Sequence, residues 1–330
     1  MTQRFIGSRS TLAGMVAALL CALCTGGVAN DQTLRSDPWT MRKLPDTGQT
    51  KRFTETPGED AFYSINPPSY KVNGDGTVMD LVTGLEWQQA DGGEMSWDAG
   101  LNYCKGLSLA GKSDWRLPNT HELFSIQDHG RSFPSLDTTA FTKSDAEYWW
   151  ASNQRADRAD YAWATNAGGG AGAHPKRETI SSGGAKSYHV RCVRGAALSG
   201  KGATEPYTDN GDGTVTDNRT GLTWQKTEGI AAATWEEALA YANALKFAGH
   251  ADWRLPNIKE LQSLETDYAV MPSIDTAYFP ATPAALYWSS TTLSPHPERA
   301  WTLQFTYGIV SYNTKTDKLH VRAVRGGTTP

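Results

Sequence analysis

Polar and apolar positions along the chain settle into readable segments. From Gly213 to Gln225 the sequence reads strand, Asn218-Arg219-Thr220-Gly221 turn, strand, which is a hairpin. Thr234 and Glu237 form a capping box. Behind it Ala238, Tyr241, Ala242 and Leu245 recur at helical spacing, predicting a helix to about Phe247 that Gly249 stops. Pro256 precedes a second box, Asn257 with Glu260, which predicts a short helix, and Asn119 with Glu122 gives the same signal earlier. After about Asp267 the pattern is irregular, with short strands expected at Tyr287–Thr291, Ala300–Phe305, Ile309–Asn313 and Leu319–Arg325. The expected class is α+β, two helices beside a small antiparallel sheet.

These signals occur twice. Asn73-Gly-Asp-Gly-Thr-Val78 returns as Asn210–Val215, Asp114-Trp-Arg-Leu-Pro-Asn119 as Asp252–Asn257, and His189-Val-Arg191 with Val193-Arg-Gly195 as His320–Arg322 with Val324–Gly326. The offset runs 137, 138 and then 131, so the first copy carries about seven extra residues near its end. Units of this length are ordinary domains rather than solenoid modules. The organisation expected is a signal peptide at 1–29, an extended or poorly ordered segment at 30–69, one domain at 70–196, a linker at 197–205 and a second domain at 206–327.

The N-terminus supports export. Arg4 and Arg9 precede an apolar run from Leu12 to Cys24, and Gly27-Val28-Ala29 offers small residues for cleavage. That run is short for a membrane span, and no second one is long enough. The expected location is therefore extracytoplasmic: periplasm, cell surface or medium. Across 330 residues the formal charge is −4, and cleavage would leave 29 basic against 35 acidic side chains, −6. A basic nucleic-acid binder is disfavoured. Of four cysteines only Cys104 and Cys192 would remain. They align with Ala242 and Ala323, so the second copy lacks both together, which points to a bond between them; two unpaired buried thiols are the alternative.

The series N-G-D-G-T-V, T-G-L-x-W-Q, D-W-R-L-P-N-x-x-E-L, Y-W-S-S-T and V-R-x-V-R-G resembles the Lcl C-terminal domain family, named for the C-terminal domain of a collagen-like adhesin. The resemblance spans both units, and its W-R-L-P portion is also similar to the wider C-type lectin-like group. It implies two lectin-like domains with a long irregular loop region after the second helix, a cysteine bridge from the first helix to the last strand, and adhesion to sulfated glycosaminoglycans. No collagen-like G-x-y stretch is present, so a stalk-built trimer is not implied.

Candidate chemistry is weighed against plain structural roles. Ten of the 12 tryptophans fall at positions matched between the copies, which favours core over sugar platforms, while Trp149 and its counterpart Tyr287 stand apart. The Asn-Gly-Asp-Gly segments read as glycine turns and fit a calcium loop poorly. Arg116, Arg254, Asp114 and Asp252 could bind an anion, and more simply form ion pairs or hydrogen-bond the backbone beside the second helix. Only His189 and His320 are matched among the histidines, and a structural role outweighs a general base. No catalytic fingerprint is found. The segment Gly168–Gly195 holds Lys176, Arg177, Lys186, Arg191 and Arg194 against Glu178, a net +4 that could meet sulfate or carboxylate groups or simply be a solvated loop.

The function expected is a non-catalytic binding or adhesion protein recognising glycans or sulfated polysaccharide, without cofactor or metal. The alternative is a structural or protein-binding module of an envelope assembly. Ligand contacts are assigned to Trp149, Arg155, Arg158, His174, Lys176, Arg177, Lys186, Tyr287, Tyr307 and Tyr312. If the basic loop is not the site, a neutral-sugar site among Trp149, Tyr287, Tyr307 and Tyr312 takes its place.

Overall fold

The structure, a computed structural model, describes residues 41–142, 145–177, 186–195 and 205–327. The signal segment 1–29, Trp39, residues 196–204 and the glycine-rich residues 178–185 lie outside the described residues.

The first repeat runs β1 (Tyr70–Val72), β2 (Thr77–Asp80), β3 (Glu86–Gln88), β4 (Glu94–Met95), α1 (Trp97–Gly106), α2 (Thr120–Ser125), β5 (Tyr148–Arg155), β6 (Arg158–Asn166), β7 (Ala171–Pro175), β8 (Tyr188–His189) and β9 (Val193–Arg194). The second follows the same order: β10 (Tyr207–Asp209), β11 (Thr214–Asp217), β12 (Thr223–Gln225), β13 (Ile230–Ala233), α3 (Trp235–Ala244), α4 (Ile258–Gln262), β14 (Leu286–Thr292), β15 (Arg299–Gln304), β16 (Ile309–Thr314), β17 (Leu319–Val321) and β18 (Val324–Arg325). Local chemistry fixes the helix starts. Asn119 and Asn257 accept from the Glu122 and Glu260 amides while those carboxylates accept from the cap amides, and Thr234 with Glu237 does the same for α3. Helix α3 ends at Ala244, short of Phe247, because Leu245 is extended and Phe247 turns back to bridge His250 across Gly249 at φ +76°.

Two four-stranded sheets form, β1-β2-β3-β9 and β10-β11-β12-β18. The rest of the strands make one ten-stranded sheet ordered β13-β17-β14-β15-β16-β7-β6-β5-β8-β4. The fold is thus mostly β, and the expectation of a lectin-like domain with two helices beside a small sheet is overturned. Two features of the chain account for it. The segments after each second helix pair as long hairpins, β5–β6 with strands of eight and nine residues and β14–β15 with seven and six. The strands that follow those hairpins and extend them, β7 and β16, would be open edges, and they pair with each other instead.

That pairing sets the symmetry. Ala171 lies opposite Thr165, and Val310 opposite Leu303, the Thr165 counterpart. Ala171 and Val310 are therefore equivalent, and they pair antiparallel with each other, so an approximate two-fold axis passes between them. The core crosses the same line: Phe124 and Ala171 of the first repeat sit in one buried cluster with Trp301, Leu303 and Val310 of the second. Helices α2 and α4 meet beside it. His121 Nδ1 lies 2.9 Å from Gln262 Oε1, and buried Lys259 donates to the Ser125 carbonyl at 2.7 Å. Burial holds the Lys259 ammonium down to about 8, with nearby carboxylates opposing the shift.

Residues 41–69 carry one short 3-10 turn, Asp60–Phe62, and otherwise run as coil against both repeats. The His129 amide donates to the Thr47 carbonyl at 2.8 Å on one side, and Lys259 Nζ donates to the Asp46 carbonyl at 2.8 Å on the other. Asp60, fully buried, accepts from Thr47 and Thr291 hydroxyls at 2.8 and 2.6 Å, and Glu59 accepts from the Thr292 hydroxyl at 2.9 Å. Burial, with Asp46 close by, pushes the Asp60 carboxyl well above the usual carboxylate range.

Cys104 and Cys192 are disulfide-bonded with Cα atoms 5.4 Å apart, tying α1 to the segment entering β9. Their counterparts Ala242 and Ala323 are both fully buried, so the second repeat fills the same place with methyl groups.

Candidate functional site

All ten matched tryptophans are buried, as core. Trp149 and Tyr287 are buried too, at 2% and 0% exposure, so neither presents a ring face to solvent and both leave the set of stacking platforms. The Arg-Leu-Pro arginines close bidentate pairs, Arg116 on Glu122 at 2.6 and 2.5 Å and Arg254 on Glu260 at 2.6 Å twice. Asp114 and Asp252 accept instead from Arg194 and Arg325. In the Asn-Gly-Asp-Gly turns, Asp75 and Asp212 each accept from the backbone amide and hydroxyl of the threonine two residues on, with both flanking glycines at positive φ.

The basic segment does not gather its cations into one bare patch. Arg191 is fully buried and donates to the Gln88 and Gln89 carbonyls, a place Arg322 takes in the second repeat with Gln225 and Lys226. Arg194 bridges Asp114 and Glu86, and Arg177 pairs with Asp98 at 2.7 Å. Lys176 lies 3.9 Å over the Trp97 ring, and its counterpart Lys315 lies 3.6 Å over Trp235, the matched tryptophan. Lys176 thus holds a place common to both repeats. Lys186 is 5.5 Å from the Tyr188 ring. His174 sits in an aromatic group, its Nδ1 3.2 Å from the Tyr188 hydroxyl and its ring edge-on to Tyr148. Arg155 and Arg158 pair with Asp157 and Asp160 on the β5–β6 hairpin tip, and the Arg155 guanidinium also lies 4.7 Å from the Tyr307 ring of the other repeat.

A pocket of about 530 Å³ opens where the repeats meet. Phe133, Pro134, Asp145 to Tyr148, Asn166 to Gly168 and Gly170 line it from the first repeat; Leu293, Pro295, His296, Trp301 and Val310 to Tyr312 line it from the second. Its rim is aromatic: Phe133 is 79% exposed at φ +50°, and Tyr312 is 46% exposed. The sequence explains the opening. Gly168, Gly169 and Gly170 stand in the β6–β7 turn, so no side chain fills the space there, and Asn166 Oδ1 holds the turn by accepting from the Gly168 and Gly170 amides. The volume falls in the range of small-ligand sites. Of the ten residues assigned from sequence, Tyr312 alone lines this pocket.

The family model of the Lcl C-terminal domain matches residues 76–194 and again 213–325. The chain belongs to the Lcl C-terminal domain family. Among curated proteins no relative matches it. The pocket is therefore built by a tandem pair of Lcl C-terminal domains, with lining residues from both.

Beside the pocket, Asp91, Asp145 and His189 offer ligand atoms within 4.8 Å of one another. Asp91 Oδ1 is already 3.0 Å from His189 Nδ1 and accepts from the Gly93 amide, and Asp91 Oδ2 accepts from Trp149 Nε1 with the Arg191 guanidinium 3.8 Å away. The second Lcl C-terminal domain repeats the pair as His320 with Glu228, and has Pro283 in place of Asp145. The pair reads as a hydrogen-bonded support for strands β8 and β17, consistent with a structural role for both histidines. Among the described residues no helix is long and apolar enough to cross a membrane.

Sequence reasoning missed Phe133, Asp145, Tyr148 and Asn166 as site residues; Trp301, read as core, is buried as expected and also borders the pocket. A signal was present: between the matched pairs the turns differ as Asn166-Ala-Gly-Gly-Gly170 against Gln304-Phe-Thr-Tyr-Gly-Ile309, space in the first where the second has bulk.

Proposed function

We propose that the protein is an exported, non-catalytic, adhesin-like binding protein that holds a glycan in the pocket between its two Lcl C-terminal domains. The observation that carries this reading is the pocket itself. It is ring-sized, edged by exposed aromatic faces, and supplied with carboxylates and an amide at Asp145, Glu147 and Asn166. Sugars bind such surfaces by stacking apolar C–H faces on aromatic rings and hydrogen-bonding their hydroxyls to planar polar groups. Membership of a family named for an adhesin domain, the sequence signal at 1–29 and the disulfide all accord with work outside the cytoplasm. The cations once offered for sulfated polysaccharide are paired or stacked within the fold, which moves the expected ligand away from polyanions.

The test is a glycan array with the full chain, followed by titration of the glycans that score and of the Phe133→Ala and Tyr312→Ala variants. Binding weakened about tenfold or more by either substitution, with unchanged melting, supports the pocket. Glycan binding indifferent to both would move the site elsewhere, and an array without any binding would leave the protein-binding alternative.

A further inference from the structure

The approximate two-fold axis through Ala171 and Val310 requires the seam to have a second side related to the pocket. There Arg155 replaces Leu293, Tyr307 stands in the turn where the pocket has its glycines, and Pro283 and Ala285 replace Asp145 and Glu147. That side is filled from within: the Arg155 guanidinium lies 4.7 Å from the centre of the Tyr307 ring, reaching from one repeat to the other. So a cation on an aromatic face already closes one half of the seam, held by the protein's own chain.

On the open side Leu293 stands where Arg155 would, so no guanidinium reaches across the opening; Arg299 lies 5.3 Å from the Tyr312 ring at the rim, within its own repeat, and two carboxylates are added. Asp145 and Glu147 are both exposed; among the described lining residues there is no lysine or arginine, and the basic side chain is His296, which lies 3.6 Å from Glu298. An exposed acidic pair beside exposed aromatic rings favours a positively charged group, by charge and by attraction to the ring faces. Some 530 Å³ exceeds what a lone guanidinium needs and leaves room for a ring. We infer that the open pocket takes an amino sugar with a free ammonium group, its apolar face against Phe133 or Tyr312 and its ammonium toward Asp145 and Glu147, one per chain. This rests on the glycan reading above and names the sugar class.

The test titrates the full chain by calorimetry at pH 6 with oligosaccharides of glucosamine, of N-acetylglucosamine at equal length, and of sulfated heparin. The expected result is binding of the glucosamine oligomer at one site per chain, at least tenfold tighter than the N-acetylated one, with heparin weakest. Asp145→Asn with Glu147→Gln should lose at least tenfold for the glucosamine oligomer and leave melting unchanged, which separates this site from general attraction of a polycation to an acidic protein. Arg155→Leu should leave the stoichiometry at one, since the side it vacates lacks the carboxylates. Equal or tighter binding of the N-acetylated or sulfated oligomer, or insensitivity to the double substitution, overturns the ammonium assignment while the glycan reading stands. Two sites per chain after Arg155→Leu overturns the account of the closed side. Failure of all three oligosaccharides together with an empty array overturns both readings.

Discussion

Removing the Cys104–Cys192 bridge tests the first repeat and its join to the second at once. The two residues are 88 apart in sequence. Loop-closure arithmetic for a loop of that length gives about 4–5 kcal/mol of stabilisation, acting through the unfolded chain and reduced by any strain. Both sulfur atoms are fully buried, so changing both cysteines to alanine adds a packing loss that simple reduction does not. Chemical unfolding should therefore be followed for three samples: oxidised wild type, reduced wild type, and the Cys104→Ala/Cys192→Ala protein. The reduced protein should lose up to about 4–5 kcal/mol, and the double variant slightly more. Because the two repeats share one sheet and one buried cluster, the loss should appear in a single transition moved as a whole rather than in a first-repeat step alone. For a chain of this size unfolding as one unit, the melting temperature should fall by roughly 7–8 °C. The second repeat already accepts alanines at both positions, so the variant should fold. A change under about 1 kcal/mol, or free thiols at Cys104 and Cys192 in protein recovered from an oxidising compartment, would refute the reasoning. Two separate transitions would refute the shared unfolding.

Three further outcomes follow from the same geometry. Trp115→Ala or Trp253→Ala should each lower unfolding free energy by about 3–5 kcal/mol, since both rings are 2% exposed and donate to the Leu109 and Phe247 carbonyls; either variant melting like the parent would show a ring the core does not need. Asp60 has its carboxyl raised above 3.8 by burial, so the folded state keeps a proton that the unfolded state releases, and stability should fall as pH rises from about that value through the folded one; Asp60→Asn should flatten this decline in denaturation midpoints at pH 4, 6 and 8, and identical slopes would contradict it. Lys176→Ala with Arg177→Ala should leave glycan affinity unchanged and melting only slightly lowered, because Lys176 rests on Trp97 and Arg177 on Asp98 at the surface; a marked loss of binding would return the site to the basic segment.

What could be read from the sequence is what the chain decides locally. Capping boxes at Asn119, Thr234 and Asn257 announce themselves by a side chain meeting an amide three residues away, and the hairpin about Asn218–Gly221 by its turn chemistry. The cysteine pair was legible because two copies could be compared. What was not legible depends on partners distant in sequence. Nothing near Ala171 states that it will pair with Val310, and that single contact converts two small sheets into one of ten strands. Likewise Arg177 and Asp98, or Arg194 and Glu86, are 79 and 108 residues apart, so a segment counted as +4 is largely neutralised by acids outside it. Trp149 looked free because it lacked a tryptophan counterpart, yet Tyr287 fills the equivalent buried place.

The two repeats agree where each must hold itself together and differ where they meet. Arg116 and Arg254 on their glutamates, Arg191 and Arg322 on strand carbonyls, and Lys176 and Lys315 on tryptophan faces are the same constructions made twice. Exchanges of size and charge at Arg155 for Leu293, Tyr307 for the glycine turn, and Pro283 for Asp145 fall together on the two sides of the seam. Two identical repeats about a two-fold axis would give two identical pockets. These differences instead leave one side closed by Arg155 over Tyr307 and the other open and acidic. Because the open pocket takes its walls from both repeats, neither repeat alone carries the site, and a ligand seated there would bind only the joined pair. Such a ligand stabilises the joined state by mass action, by about 2.7 kcal/mol at a hundredfold excess over its dissociation constant. Recognition and the integrity of the ten-stranded sheet are in this way one property of the duplicated chain.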